Sequence, residues 1–225
     1  MSKFARLMLF AFVFLLLDQA SKIWVKTHMF LGQQHPVFDW FSIHFVENRG
    51  MAMGMELGDG DWGKLALSLF RVVAIAFLTV VLKRFSHSSY PNGFLASLAL
   101  ILAGATGNIL DSAFYGLVFS DSYGRVAEFL PEGGGYAGFL MGSVVDLFSV
   151  LLFTTTWPEF VPFVGGDPFV FFGPIFNLAD VYITTGVILI VIFNKRFFAH
   201  LDQEPQPGGD AGAPAEDADQ AKAQA

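Results

Sequence analysis

The stretch FARLMLFAFVFLLLDQASKIWV, residues 4–25, decides what solvent this chain is built for. It is apolar almost without break up to Asp18 and Lys22, and about 20 helical residues are enough to cross a hydrocarbon core. The opening MSKFAR and the run LMLFAFVFLLL also have the form of a secretory signal peptide. Cleavage there is poorly served. The best small residue, Ala20, has Asp18 two positions before it, and the helical pattern continues through Ile23, Trp24 and Val25. Residues 64–83, 94–117 and 175–194 have the same apolar character and length. The expected fold is therefore an all-α membrane protein: a four-transmembrane-helix bundle carrying an extracytoplasmic cap of loops and short strands.

Composition agrees with that solvent. Of 225 residues, 54% are hydrophobic and 15% charged, against about 25% charged in soluble chains. The net charge of −7 argues against nucleic acid as a partner, and the absence of cysteine excludes disulfides, thiolate metal sites and a thiol nucleophile. Asp202, Glu204, Asp210, Glu216, Asp217 and Asp219, against Lys222, carry five of the seven net negative charges. After Leu201 no large apolar residue remains, so residues 201–225 are expected to form a disordered acidic cytoplasmic tail, behind a membrane domain spanning 1–200.

Orientation follows from the basic residues beside the span ends. Lys3 and Arg6 precede the first span, Lys83 and Arg84 lie between the second and third, and Lys195 and Arg196 follow the fourth. All fall on one side, which places both termini in the cytoplasm and turns segments 26–63 and 118–174 outward. The run FLMGSVVDLFSVLLF at 139–153 is too short to span and holds an acid. It is expected to be re-entrant or to lie on the surface, followed by a Trp-, Phe- and Pro-rich stretch at headgroup level.

Ionisable groups within such spans are expensive and call for a task or a partner. Asp18 and Lys22 are four apart, Asn108 and Asp111 three apart, and Asn177 and Asp180 three apart, so each pair shares a helix face. Asp18 with Lys22 reads equally as an intrahelical ion pair. Asn108 with Asp111 follows AGATG, whose Gly104, Ala105 and Gly107 allow helices to approach closely, so interhelical hydrogen bonding explains that pair as well as chemistry does. Asp146 and Asp180 have no Lys or Arg within four positions. Two acids meeting in a low dielectric share one proton, the condition of an aspartic protease; a proton relay in a transporter also uses membrane carboxylates. The five histidines form no HxxxH or HExxH pair, so neither a metal nor another cofactor is expected.

The ordered motifs resemble those of the signal peptidase II, or lipoprotein signal peptidase, family. LDQASK at 17–22 is similar to LDxxxK, ENRGMAMGM at 47–55 to NxGxAFG, and AGATGNILD at 103–111 to GGxGNxxDR. VVD at 144–146 matches VVDF, and FNLAD at 176–180 matches FNxAD. The resemblance implies an intramembrane aspartic endopeptidase with Asp146 and Asp180 as catalytic pair and Asp18, Lys22, Asn48, Asn108, Asp111 and Asn177 in support. It implies as substrates prolipoproteins carrying a diacylglyceryl group on the lipobox Cys, cut just before that Cys. It also implies lipid contact and residence in a bacterial inner membrane with the site on the periplasmic side; a monomer is expected.

Departures from the family pattern are specific. Its arginine after GNxxD is Ser112 here, which leaves a cation to be supplied elsewhere, Arg125 being one candidate. The Phe of VVDF is Leu147 and that of NxGxAFG is Met53, both apolar. Residues 112–143 and 147–175 are longer than the corresponding segments of compact members, and both fall on the outer side. The rival readings are a small proton-coupled transporter, which needs polar groups at several depths, and a non-catalytic assembly subunit, in which Asn would serve for either Asp.

Overall fold

The computed structural model describes residues 1–49, 61–151, 153–171 and 173–198. Three helical runs in it are long and apolar enough to cross a membrane: α1 (Lys3–His28), α2 (Asp61–Ser86) and Asn92–Val118. The last of these is α3 (Asn92–Leu110), a five-residue π-helical turn (Asp111–Tyr115), and the short α4 (Gly116–Val118). Helix α5 (Leu178–Ile192) is apolar but only 15 residues long, followed by the short α6 (Asn194–Phe198). At 1.5 Å per residue α5 reaches about 22 Å, less than a hydrocarbon core of about 30 Å.

Local chemistry sets the ends of these helices. The Ser2 side chain accepts from the Ala5 amide at the start of α1, and Lys26 and His28 occupy its last turn, where cations complement the helix dipole. Helix α2 begins with Asp61 and ends with Lys83 and Arg84. Helix α3 is the central member, contacting α1, α2 and α5. A Cβ on Gly104 would collide with the Ala179 carbonyl, and one on Gly107 with the Asp18 carboxylate. The small residues of AGATG are thus what allow α1 and α5 to close on α3. The outer faces remain apolar, with Phe12, Leu16, Phe70, Phe77, Val191 and Ile192 exposed, as suits lipid rather than water.

One end of the bundle gathers the basic residues. Lys3 Nζ donates to the Tyr90 carbonyl at 3.2 Å, and Phe197 of α6 packs on Phe94 of α3 with ring centroids 5.8 Å apart. The start of α1, the α2–α3 turn and α6 therefore lie together. Leu82, Leu95, Leu98 and Leu102 fill the core beneath them.

The opposite end is a sheet, and here the all-α expectation is corrected to a mixed helix and sheet architecture. Strands β1 (Gln34–Phe38), β2 (Phe41–Asn48), β3 (Val144–Val150) and β6 (Ile175–Phe176) form an antiparallel sheet in that order. A separate hairpin pairs β4 (Phe153–Thr156) with β5 (Pro168–Phe171). The segment 139–153 is thus neither re-entrant nor surface-lying over its centre, because residues 144–150 are an interior strand. VVDLFSV is rich in β-branched and aromatic residues, and pairing with β2 and β6 satisfies its backbone. Val145 and Leu147 point into a core with Val25, Phe45, Tyr115 and Phe119, so Leu147 keeps the apolar packing expected of it. Strand alternation sends Asp146 to the other face.

Candidate active site

Asp180 is held by the first turn of α5. Asn177 caps that helix: its Oδ1 accepts from the Asp180 amide at 3.0 Å, and Asp180 Oδ2 accepts from the Asn177 amide at 3.4 Å. The N-x-x-D spacing of FNLAD is a reciprocal capping box, which fixes both side chains relative to the backbone. Asp146 arrives from β3, opposite Val46 of β2. Its Oδ1 accepts from Asn177 Nδ2 at 2.7 Å and its Oδ2 from Asn48 Nδ2 at 3.2 Å.

Asn108, on α3, closes the connection. Its Nδ2 donates to Asp180 Oδ1 at 3.0 Å, and its Oδ1 accepts from Asn177 Nδ2 at 3.2 Å. The two acids are therefore linked as Asp146, Asn177, Asn108, Asp180 through side chains alone. Asp146 is buried and Asp180 half-buried. Burial foremost, then the negative charge of Asp180, pushes the Asp146 carboxyl up to about 7, against the opposing hydrogen bonds of Asn48 and Asn177.

A second layer holds this arrangement in place. Lys22 Nζ, fully buried, reaches Asp18 Oδ2 at 2.9 Å, Asp111 Oδ2 at 2.8 Å and Asn108 Oδ1 at 2.9 Å. Asp18 is more than an intrahelical partner, since its Oδ1 accepts from the Ala179 amide at 2.9 Å and so anchors the first turn of α5. Asp111 opens the π-helical turn, a local widening that frequently occurs at functional sites. Its Oδ2 also accepts from the Val145 amide at 3.3 Å, tying the helices to β3 beside Asp146.

All eight residues singled out in the sequence thus belong to one connected cluster. Residues 50–55, most of the ENRGMAMGM motif and including Met53, lie outside the described residues, as does the tail 201–225. Arg125 does not supply the missing cation: it stands exposed at the surface, bonded to Asp121 at 2.5 Å.

Sequence reasoning missed several participants. Gln19 donates to Asp111 Oδ1 at 2.9 Å and to the Gly107 carbonyl at 3.2 Å, and accepts from the Tyr115 hydroxyl. Lys26 is buried, paired with Glu47, bonded to Ser122 at 2.9 Å and seated 4.6 Å from the Tyr136 ring centroid. It fastens the long segment after α4 to α1 and β2. On α2, Lys64 donates to Ser112 Oγ at 3.0 Å and Ser68 to the Leu140 carbonyl at 3.0 Å. The signal was available, since Lys64, Ser68 and Arg71 recur at helical spacing inside an apolar span. Next to Asp146, a cavity of about 990 Å³ opens, bounded by Glu47, Asn48, Tyr136, Ser143 and Ile175.

Fold and site together define a membrane protein with a buried carboxylate centre where its helices meet a small sheet. Comparison with known proteins narrows this. The family model described as signal peptidase (SPase) II matches residues 10–195. A lipoprotein signal peptidase of Porphyromonas gingivalis is 50% identical over 183 residues, 81% of this chain and 79% of that protein. One of Amoebophilus asiaticus is 33% identical over 190 residues, 83% and 75% of the two chains. Two solved structures titled as a bacterial membrane enzyme superpose with TM-scores of 0.53 and 0.52, at 23% and 25% identity. They cover 93% and 89% of this chain and 95% of each of theirs. The chain belongs to the signal peptidase II family.

Proposed function

We propose that this protein is an aspartic endopeptidase that removes signal peptides from diacylglyceryl-modified prolipoproteins, cutting before the lipidated Cys, with Asp146 and Asp180 as the reacting acids. The observation that carries the reading is the bonded pair of amides, Asn108 and Asn177, each holding one of the two carboxyl groups. Asp180, at the N-terminal turn of α5 where the helix dipole favours an anion, takes a proton from water. The resulting hydroxide attacks the carbonyl carbon preceding the Cys while protonated Asp146 hydrogen-bonds the developing oxyanion. When the tetrahedral adduct collapses, the proton on Asp180 passes to the leaving amine as the C–N bond breaks, and Asp146 retains its own.

In this reading α5, extended by β6 and α6, completes four spans, with both termini cytoplasmic and the site at the periplasmic side of a bacterial inner membrane. Residues 1–200 form the peptidase domain and 201–225 the acidic tail. The substrate helix unwinds locally to expose its scissile amide, since a helical peptide bond is already hydrogen-bonded. Its acyl chains remain in lipid, because extraction costs roughly 0.8 kcal/mol per CH2. A monomer suffices, as one chain contributes every residue of the cluster. The aromatic and aliphatic packing at the basic end supports a protease over a proton relay, which would need polar groups at that depth.

The test uses the full-length protein in detergent with a precursor carrying S-diacylglyceryl cysteine. Asp146→Asn and Asp180→Asn are each expected to abolish cleavage while retaining precursor binding. Full turnover by either variant would overturn the reading.

A further inference from the structure

The long segment after α4 forms one side of the cavity beside Asp146. Tyr123, Tyr136, Met141 and Ser143 line it together with Glu47 and Asn48 of β2. At about 990 Å³ the cavity has the size of a ligand pocket, commonly ~300–1,000 Å³. The segment folds back on the end of the third helical run: the Leu130 amide donates to the Val118 carbonyl at 2.7 Å, that of Tyr136 to Phe119 at 3.0 Å, and that of Gly142 to Ser112 at 2.9 Å.

A clasp around Lys26 then fixes this segment to α1 and β2. Lys26, fully buried in the last turn of α1, pairs with Glu47 and donates to Ser122 Oγ at 2.9 Å. Ser122 Oγ donates in turn to Glu47 Oε1 at 3.4 Å, and the Ser122 carbonyl accepts from the Leu31 amide at 2.9 Å. The ammonium lies 4.6 Å from the ring centroid of Tyr136, whose hydroxyl accepts from the Ser143 amide at 2.8 Å, directly before β3. Glu47 is the neighbour of Asn48, which bonds Asp146. A buried ion pair is commonly no better for stability than apolar packing of equal volume. What it adds here is direction, since Lys26 meets Glu47, Ser122 and the Tyr136 ring at once when the segment and β2 keep one register.

We propose that residues 120–143 are a wall that seats the first residues of the mature chain, an extended peptide following the lipidated Cys, and that Lys26 is the positioning residue holding this wall to β2. The proposal deepens the peptidase reading above and rests on it. In that reading the signal peptide lies in the membrane and the scissile amide at Asp146 and Asp180, so the chain beyond the Cys leaves on the side of the sheet, where the cavity opens. Two tyrosines, a methionine and a serine offer apolar area with hydrogen-bonding tips, which suits a peptide of varied sequence.

The experiment gives full-length protein in detergent two precursors with the same signal peptide and the same S-diacylglyceryl cysteine. One continues into a long mature segment and the other ends at the Cys as its carboxamide. The readout is the ratio of kcat/KM for the long precursor over the short one, which does not depend on how much of a variant is folded. In the parent protein the ratio is expected to be about ten. Lys26→Met is expected to bring it close to one, whereas a merely structural role would lower both values by the same factor. Tyr123→Ala, at an exposed lining position whose truncation leaves the core intact, is expected to lower the ratio about threefold and decides the matter if Lys26→Met yields no active protein. A parent ratio near one overturns the proposal, and so does a parent-like ratio in either variant. Asp146→Asn runs in parallel. If it is inactive while the parent cleaves both precursors equally well, only the wall fails; if it cleaves, or the parent cleaves neither, the peptidase reading fails and the wall with it.

Discussion

The side-chain amides of Asn108 and Asn177 are bonded to each other at 3.2 Å, and each donates to a different acid, Asn108 to Asp180 and Asn177 to Asp146. Their spacing is set by backbone elements of three kinds: a central helix, a helix cap and an interior strand. Small displacements of any one of them would move one carboxyl group relative to the other, and catalysis is sensitive to misplacement on the scale of 1 Å.

Asn177 has two tasks that substitution can separate. Asn177→Ser keeps a good helix cap but lacks the reach to Asp146, Asn108 and Val145. It is expected to unfold within a few degrees of the parent protein while losing about a hundredfold in kcat. Asn177→Ala is expected to lose the cap as well, a further ~1 kcal/mol. Thermal unfolding followed by circular dichroism, beside turnover of the lipidated precursor, checks both.

Under the proposed mechanism Asp146, raised to about 7 by burial and by Asp180, is expected to give activity a descending limb in the neutral range. As pH rises through that value the proton that polarises the carbonyl is lost, so kcat/KM is expected to fall toward pH 8 and 9. The midpoint belongs to the coupled pair rather than to one acid. Stability follows the same sign. A carboxyl group raised in the folded state stabilises it fully below its unfolded value of 3.8, and that contribution is lost as pH rises through about 7. Asp146→Asn is therefore expected to be more stable than the parent at pH 8, with the difference shrinking at pH 4, as read from the unfolding midpoint at each pH.

Lys22 is the sole partner in an ion pair with either Asp18 or Asp111 among the described residues. Lys22→Met would leave two buried carboxylates without their cation, a loss of about 3–5 kcal/mol. Little folded protein is expected, and what folds should show reduced protection of the first turn of α5, which Asp18 anchors through Ala179. Hydrogen exchange at Ala179 and Asp180 measures this.

Gly107 allows Asp18 to sit against α3. Gly107→Ala places a methyl group on the carboxylate, and a loss of about 1–3 kcal/mol is expected from the displacement. Gly138→Ala, where an added Cβ meets nothing, is expected to be neutral. Comparing the two unfolding midpoints tests whether close approach, rather than glycine content, matters.

The sequence by itself determined the membrane solvent, three of the spans and the identity of the clustered acids and amides. These depend on local features: hydropathy over about 20 residues, helical spacing of polar pairs, and ordered motifs. Tertiary structure decided the rest. VVDLFSV reads as a short apolar run of unsettled form until β2 and β6 supply its hydrogen bonds, and the FNLAD capping box acquires its role only when Asn108 and Asp146 meet it. Lys64 and Ser68 were visible as letters but not as neighbours of the site, because which face of α2 turns inward is set by packing on α3. Burial, and with it the upward shift of the Asp146 carboxyl, comes from parts of the chain distant in sequence, since dielectric and neighbouring charge are properties of the assembled volume rather than of any segment.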